Sequence, residues 1–125
     1  MKNVLLDSNV LLNYFKASKL FGPRAIRLMN QSHLHYSPIS LFELKQKEHY
    51  RPGFKHPITK DRLQELGFEP LAFDDLSFDG FVELETKDPF DRMLVSQAKG
   101  HQMKFLTADM RIIDSGLDFV VDITL

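Results

Sequence analysis

An α/β domain with a mostly parallel central sheet is the fold class this sequence predicts, and three observations carry that expectation. Short apolar runs suited to buried strands alternate with stretches of helical periodicity. Strands separated by helices make βαβ units, whose strands run parallel. The chain has 125 residues, 43% hydrophobic and 26% charged, the composition of an ordinary globular protein sized for one domain, expected to span residues 1–125.

The elements follow in chain order. Asn3 to Leu6 make a short buried strand ending on Asp7, and Val10, Leu11, Leu12, Tyr14 and Phe15 mark a helix from about Ser8. Gly22-Pro23 breaks the chain before a second helix, Arg24 to Gln31. Leu34 to Tyr36 form a brief strand closed by Ser37-Pro38, and a helix follows from Ser40 to Lys47. Pro52, Gly53 and Pro57 make Tyr50 to Pro57 a loop. A short helix, Thr59 to Leu66, stops at Gly67. Phe68 to Phe73 are extended, and Asp74 to Leu84 helical. Asp88 to Lys99 is the clearest helix, with Met93, Leu94, Val95 and Ala98 inward and Gly100 at its end. Strands at Lys104–Leu106 and Leu117–Ile123 complete the pattern, the last rich in β-branched residues.

Several function classes are set aside by composition. There is no Cys, so no disulfide, thiolate metal site or cysteine nucleophile exists. A net charge of −1 gives no global basic field, so a nucleic acid would have to be gripped by a local patch. The apolar run before Asp7 is too short for a signal peptide or membrane span, which leads us to expect a cytoplasmic protein with no membrane partner. No His pair has zinc spacing; His33 and His35 are expected to flank a strand, and His101 to end a helix.

Acidic residues recur where strands turn into helices. Asp7 follows the first strand directly, Glu43 and Asp91 fall in the opening turns of helices, and Asp109 comes shortly after Lys104–Leu106. In a parallel sheet these corners gather beyond the carboxyl ends of the strands. Clustered carboxylates suit hard cations such as Mg²⁺ or Mn²⁺. A cation held there would activate a water and steady a phosphate under in-line attack.

Each acid also has a purely structural reading. Ser40 and Glu43 spell a capping box. Asp88-Pro89-Phe90-Asp91 is a helix start, with Asp88 as N-cap and Pro89 at the first position. Asp7 and Asp109, or Thr107, could cap the segments after them. Ser, Thr or Asn would cap as well, yet carboxylates stand at all four corners, and crowded anions call for a cation.

Four stretches carry a family resemblance. Leu5-Leu6-Asp7-Ser8-Asn9-Val10-Leu11-Leu12 resembles the opening motif of PIN domains, and Ser37-Pro38-Ile39-Ser40-Leu41-Phe42-Glu43-Leu44 the second. Asp88-Pro89-Phe90-Asp91-Arg92-Met93-Leu94-Val95-Ser96-Gln97-Ala98 closely resembles the third, the most specific of the set, and Phe105-Leu106-Thr107-Ala108-Asp109 the fourth. They stand in family order, and the nearest resemblance is to VapC-like toxins of bacterial toxin–antitoxin pairs. The resemblance implies a three-layer α/β/α fold and a Mg²⁺- or Mn²⁺-dependent endoribonuclease. It matches Asp7, Glu43, Asp91 and Asp109 to the catalytic, metal-binding acids, and Ser8 and Thr107 to hydroxyls beside them. Asp88 competes with Asp91 for the third place; the run Arg92 to Ala98 favours Asp91. Relatives often carry His two residues before the Asp that opens this motif; here that place is Thr86. The implied partners are an RNA substrate, a cognate antitoxin and a second copy of the chain.

The basic stretch Lys45, Lys47, His49, Arg51, Lys55, His56 and Lys60, interleaved with Tyr50 and Phe54, is either an RNA track or a solvated surface. From it Lys45, Lys47, Arg51 and Lys55 are the RNA-binding candidates. Phe73, Phe78, Phe81, Phe90 and Phe105 are expected in core or interface, and Asp74-Asp75 at a helix cap. Two other functions compete with the nuclease. An aspartyl-phosphate mechanism on Asp7 lacks its second acid, because Asn9 stands there. A non-catalytic RNA- or protein-binding module on the same fold has no need of all four acids.

Overall fold

The computed structural model describes residues 2–125. In chain order it contains β1 (Lys2–Leu6), α1 (Ser8–Phe15), α2 (Pro23–Asn30), β2 (Ser32–Tyr36), α3 (Pro38–Tyr50) and α4 (Lys60–Glu65). Then come β3 (Glu69–Pro70), α5 (Asp75–Asp79), α6 (Pro89–Gly100), β4 (Lys104–Thr107), α7 (Met110–Ile113) and β5 (Val120–Asp122). All strand pairs are parallel, in the order β3-β2-β1-β4-β5.

The central strand explains the layering. Val4, Leu5 and Leu6 of β1 are fully buried, as a strand covered on both faces must be. Successive side chains point to opposite faces. Val4 and Leu6 join Leu106 and the helices α1 to α4 through Val10, Leu11, Ala25, Met29, Leu44 and Leu63. Leu5 joins Phe105, Leu94, Val95 and Ala98 of α6, and Ile112 of α7 on the other side. The result is a three-layer α/β/α domain with a core on each face of the sheet. Leu6 is paired with Leu106 and Leu5 with His35, so β1, β2 and β4 all end at one rim.

Several boundaries differ from expectation, each for a local reason. The third helix begins at Pro38, because Ser37 caps it by accepting the Ile39 N–H at 3.1 Å. Ser40 is therefore inside the helix, the Ser40–Glu43 capping box does not form, and Glu43 lies in the second turn. The same helix runs on through Tyr50, so the loop starts later. The extended arm after Phe68 pairs only at Glu69–Pro70, an edge position where Pro70 has no N–H to donate. The last strand shrinks to Val120–Asp122. His33 and His35 lie within β2 rather than beside it, and His35 is buried with Nε2 3.1 Å from Asn3 Oδ1.

The expected helix Asp74–Leu84 is helical only over Asp75–Asp79. Asp74 caps it, in a box with Ser77. Gly80 ends it because α5 and α6 touch backbone to backbone there. A Cβ at Gly80 would collide with the Ser96 carbonyl, and one at Gly100 with the Leu76 carbonyl. On α6 Leu94, Val95 and Ala98 face inward, but Met93, well over ~100° around the helix from that face, is exposed, contrary to expectation. Phe105 is core and Phe90 half-buried, whereas Phe73, Phe78 and Phe81 are exposed around Met93.

This close approach predicts that Gly100→Ala separates the two helices at a cost of about 1–3 kcal/mol. Thermal melting should show a lower midpoint than the parent. An unchanged midpoint would mean that α5 is not clamped to α6.

Candidate functional site

Asp7 is the first residue beyond β1, and it is buried at 3% exposure. Its Oδ1 accepts the Ser8 N–H at 2.7 Å as the N-cap of α1, and its Oδ2 accepts the Thr107 hydroxyl at 2.7 Å from the end of β4. Glu43 is 8% exposed on α3. Its Oε1 accepts the Ser8 hydroxyl at 2.6 Å, Ser8 Oγ stands 3.0 Å from Ser40 Oγ, and Oε2 lies 3.6 Å from Lys47 Nζ.

Asp91 is the third residue of α6, 7% exposed. Asp88 caps that helix by accepting the Phe90 N–H at 2.9 Å. Thr86, where the family's His is absent, is buried; its hydroxyl makes a long 3.5 Å contact to Asp91 Oδ2 and accepts the Asp88 N–H at 3.2 Å. Asp109 caps α7 by accepting the Arg111 N–H at 2.9 Å, and donates its own N–H to Thr107 Oγ1 at 3.0 Å. The Arg111 guanidinium grips Asp109 twice, at 3.3 Å (Nε) and 3.0 Å (Nη2), and reaches to 3.8 Å from Asp91 Oδ2.

Capping and clustering are thus not rivals here: Asp7 and Asp109 cap helices and still belong to one electrostatic group. Burial is the main reason that the Asp7 carboxyl is pushed up to about 6, with Glu43 and Asp109 adding repulsion and Thr107 and Ser8 opposing it. Burial also pushes Asp91 up to about 7, reinforced by Asp7, Asp88, Glu43 and Asp109. For Asp109 burial acts upward, but the Arg111 guanidinium and backbone N–H overcome it and hold the group below the usual carboxylate range. Asp7 and Asp91 each feel the charges of Glu43 and Asp109 across the rim.

The donor set is all oxygen and anionic, a chemistry that fits a hard divalent cation. Among the described residues, no three acids yet surround a common point closely enough to hold one. Each is occupied by a donor from its own chain: Thr107 on Asp7, Ser8 and Lys47 on Glu43, Arg111 on Asp109 and Asp91.

Ser8 and Thr107, expected from the sequence beside the acids, donate their hydroxyls to Glu43 and Asp7. Sequence reasoning missed Ser40 and Arg111. Ser40 looked like a cap, and Arg111, two residues past Asp109, bears no mark in sequence separating it from a surface arginine. Lys47 and Arg51 line a hollow with Glu43, Asp88, Tyr50 and Phe90, while Lys45 lines an adjoining one with Phe42, His49 and Tyr50. Lys55 stands exposed on the following loop.

The PIN domain family profile matches residues 4–115, nearly the whole chain. This protein belongs to the PIN-domain family. No curated protein matches the sequence. Solved structures share the fold at low identity. VapBC2 of Rickettsia felis, bound to a promoter DNA fragment, superposes with TM-score 0.66 at 14% identity over 96% of this chain and 98% of that one. A toxin–antitoxin complex of Klebsiella pneumoniae gives 0.60 at 19% identity over 94% and 95%. DNA-bound VapBC of Salmonella typhimurium gives 0.61 at 19% identity over 98% of both chains. No helix among the described residues is long and apolar enough to cross a membrane.

The acid cluster of this PIN domain predicts a pH-dependent fold. Between pH ~4 and ~7 the native state keeps protons on Asp91 and Asp7 that the unfolded chain releases, so stability falls as pH rises through that window. In EDTA, melting should drop from pH 5 to pH 8, and Asp91→Asn should flatten the slope. Parallel curves for parent and variant would mean that folding does not raise the Asp91 carboxyl.

Proposed function

We propose that this PIN domain is a metal-dependent endoribonuclease, a single catalytic unit serving as the toxin of a toxin–antitoxin pair. The observation that carries the reading is the group of buried Asp7, Glu43 and Asp91 with partly exposed Asp109, gathered at the sheet rim within reach of one another's charge. These side chains would hold Mg²⁺ or Mn²⁺. A divalent cation supplies a bound water of lowered pKa and positive charge for the phosphate. Ser8 holds Glu43 and Thr107 holds Asp7, so neither carboxylate has to be ordered when substrate arrives. Family membership and the fold shared with VapBC structures support the toxin role and a cytoplasmic setting. The expected partners are RNA, an antitoxin and a second copy of this chain.

RNA would approach across α3. Phe42 and Tyr50 are 63% and 71% exposed there, offering faces for unpaired bases, and Lys45, Lys47 and Arg51 offer cations for phosphates.

Cleavage of single-stranded RNA should require Mg²⁺ or Mn²⁺ and stop in EDTA. Asp7→Asn and Asp91→Asn should each lose nearly all of it while remaining folded. Asp88→Asn should keep most, since Asn still caps α6. Full activity in Asp91→Asn, or none in the parent at any metal, would defeat the reading, the latter in favour of a binding module.

A second prediction concerns the RNA track. Joint Lys45→Ala and Arg51→Ala should raise KM more than they lower kcat and reduce the salt dependence of RNA binding; Lys55→Ala should do less. Equal KM values in parent and double variant would place the RNA elsewhere. Expression of the chain alone should slow growth, and co-expression of the small protein encoded beside it should relieve the arrest. Normal growth with folded protein present would count against the toxin role.

A further inference from the structure

We propose that Arg111 is a built-in competitor for the divalent cation: its guanidinium spans Asp109 and Asp91 and must release at least one of them before metal is held. The inference rests on the metal-site reading above and adds a residue that no family motif in the sequence contains.

The geometry is specific. Two guanidinium nitrogens lie on the two oxygens of Asp109, at 3.3 and 3.0 Å, and Nη2 also stands 3.8 Å from Asp91 Oδ2. Two-point contacts of this kind are the ordered, stronger form of an arginine–carboxylate pair. The side chain is 61% exposed, so core packing does not hold it in place. What holds it is the acids themselves, pulling the nearest mobile cation over their group. Arg111 is the only residue in the described chain whose cationic group is within ion-pair distance of two of the four acids; Lys47 reaches Glu43 alone.

Position explains why this arginine and no other does so. Asp109 caps α7, which fixes its carboxylate over the helix start, and Arg111 is the second residue of that four-residue helix. The chain therefore returns Arg111 to the acid that caps it. Asp91 arrives from the start of α6, so the guanidinium bridges acids from two separate helices. A divalent cation seeking the same oxygens meets a site already partly neutralised. Binding then exchanges one counter-ion for another, and the free energy of breaking the arginine contacts is subtracted from metal affinity. A charge of +1 displaced to the rim would remain beside the metal, facing solvent, where an incoming phosphate could engage it.

Isothermal titration of metal-free protein with Mn²⁺, without RNA, tests this directly. Arg111→Ala and Arg111→Gln should both bind Mn²⁺ more tightly than the parent, by roughly three- to tenfold for an exposed but two-point ion pair. Their melting midpoints in EDTA should be lower than the parent's, because the acids lose a counter-ion, and the rise on adding Mn²⁺ should be larger. Arg111→Lys should fall between parent and Arg111→Gln, keeping the charge without the fork. Equal Mn²⁺ affinity in parent, Arg111→Ala and Arg111→Gln overturns the proposal while leaving the metal site intact. Weaker binding in the variants also overturns it, making Arg111 a support of the site rather than a competitor. If neither the folded parent nor either variant takes up Mn²⁺, the metal-site reading fails and the competition with it. Arg111→Gln keeps a donor for Asp109, so a folding defect confined to Arg111→Ala leaves the comparison in place.

Discussion

Repulsion among buried carboxylates is the constraint around which this structure is arranged. Asp7, Glu43 and Asp91 are each less than a tenth exposed, and their fields overlap with that of Asp109. Water would normally screen such charges, and burial removes most of it. A chain free to relax would move the acids apart. The parallel sheet prevents this by delivering β1 and β4 to the same edge, locked in register by main-chain hydrogen bonds. The hydroxyl groups of Ser8 and Thr107 then hold two carboxylates inward. Apolar contacts on both sheet faces hold this arrangement of acids in place.

The local devices that lower this cost are the ones that build the helices. Asp7 accepts an N–H at the start of α1, and Asp91 sits in the first turn of α6 behind the cap of Asp88. The positive end of a helix favours a nearby anion by a few tenths to about one kcal/mol. The same carboxylate therefore ends one element, starts the next and contributes charge to the rim. This is why an argument from caps alone and an argument from a metal site alone each describe only part of the residue. Arg111 and Lys47 complete the compensation from the solvent side, where flexible cations can arrive and leave.

Helix α6 carries several separate duties on its different sides. Leu94, Val95 and Ala98 pack on the sheet, and Gly100 lets α5 approach backbone to backbone. Its first turn supplies Asp91, and its outer side exposes Met93 among Phe73, Phe78 and Phe81. The buried Gln97 ties the helix to the edge of the sheet by donating to the Leu71 carbonyl at 2.8 Å. The stiffness of this helix fixes where Asp91 can stand.

By itself the sequence determined the fold class, the family and the order of its motifs along the chain. These are written in short-range patterns: apolar runs at strand spacing, helical periodicity, Asp-Pro helix starts, and four motifs in family order. Such patterns depend on local chemistry that neighbours along the chain already supply. What only the tertiary structure decided depends on groups far apart in sequence. Glu43 stands beside Ser8 rather than in a capping box because Ser37 takes the cap and the Ser8 hydroxyl, from another helix, meets the carboxylate. The helix after Asp74 stops at Gly80, where α6 lies against it backbone to backbone. Arg111 was invisible because its meaning lies in Asp91, twenty residues earlier and on a different helix. Periodicity reports which face of an element is apolar, but a through-space charge contact leaves no trace in the order of residues, and only the packed chain brings its two ends together.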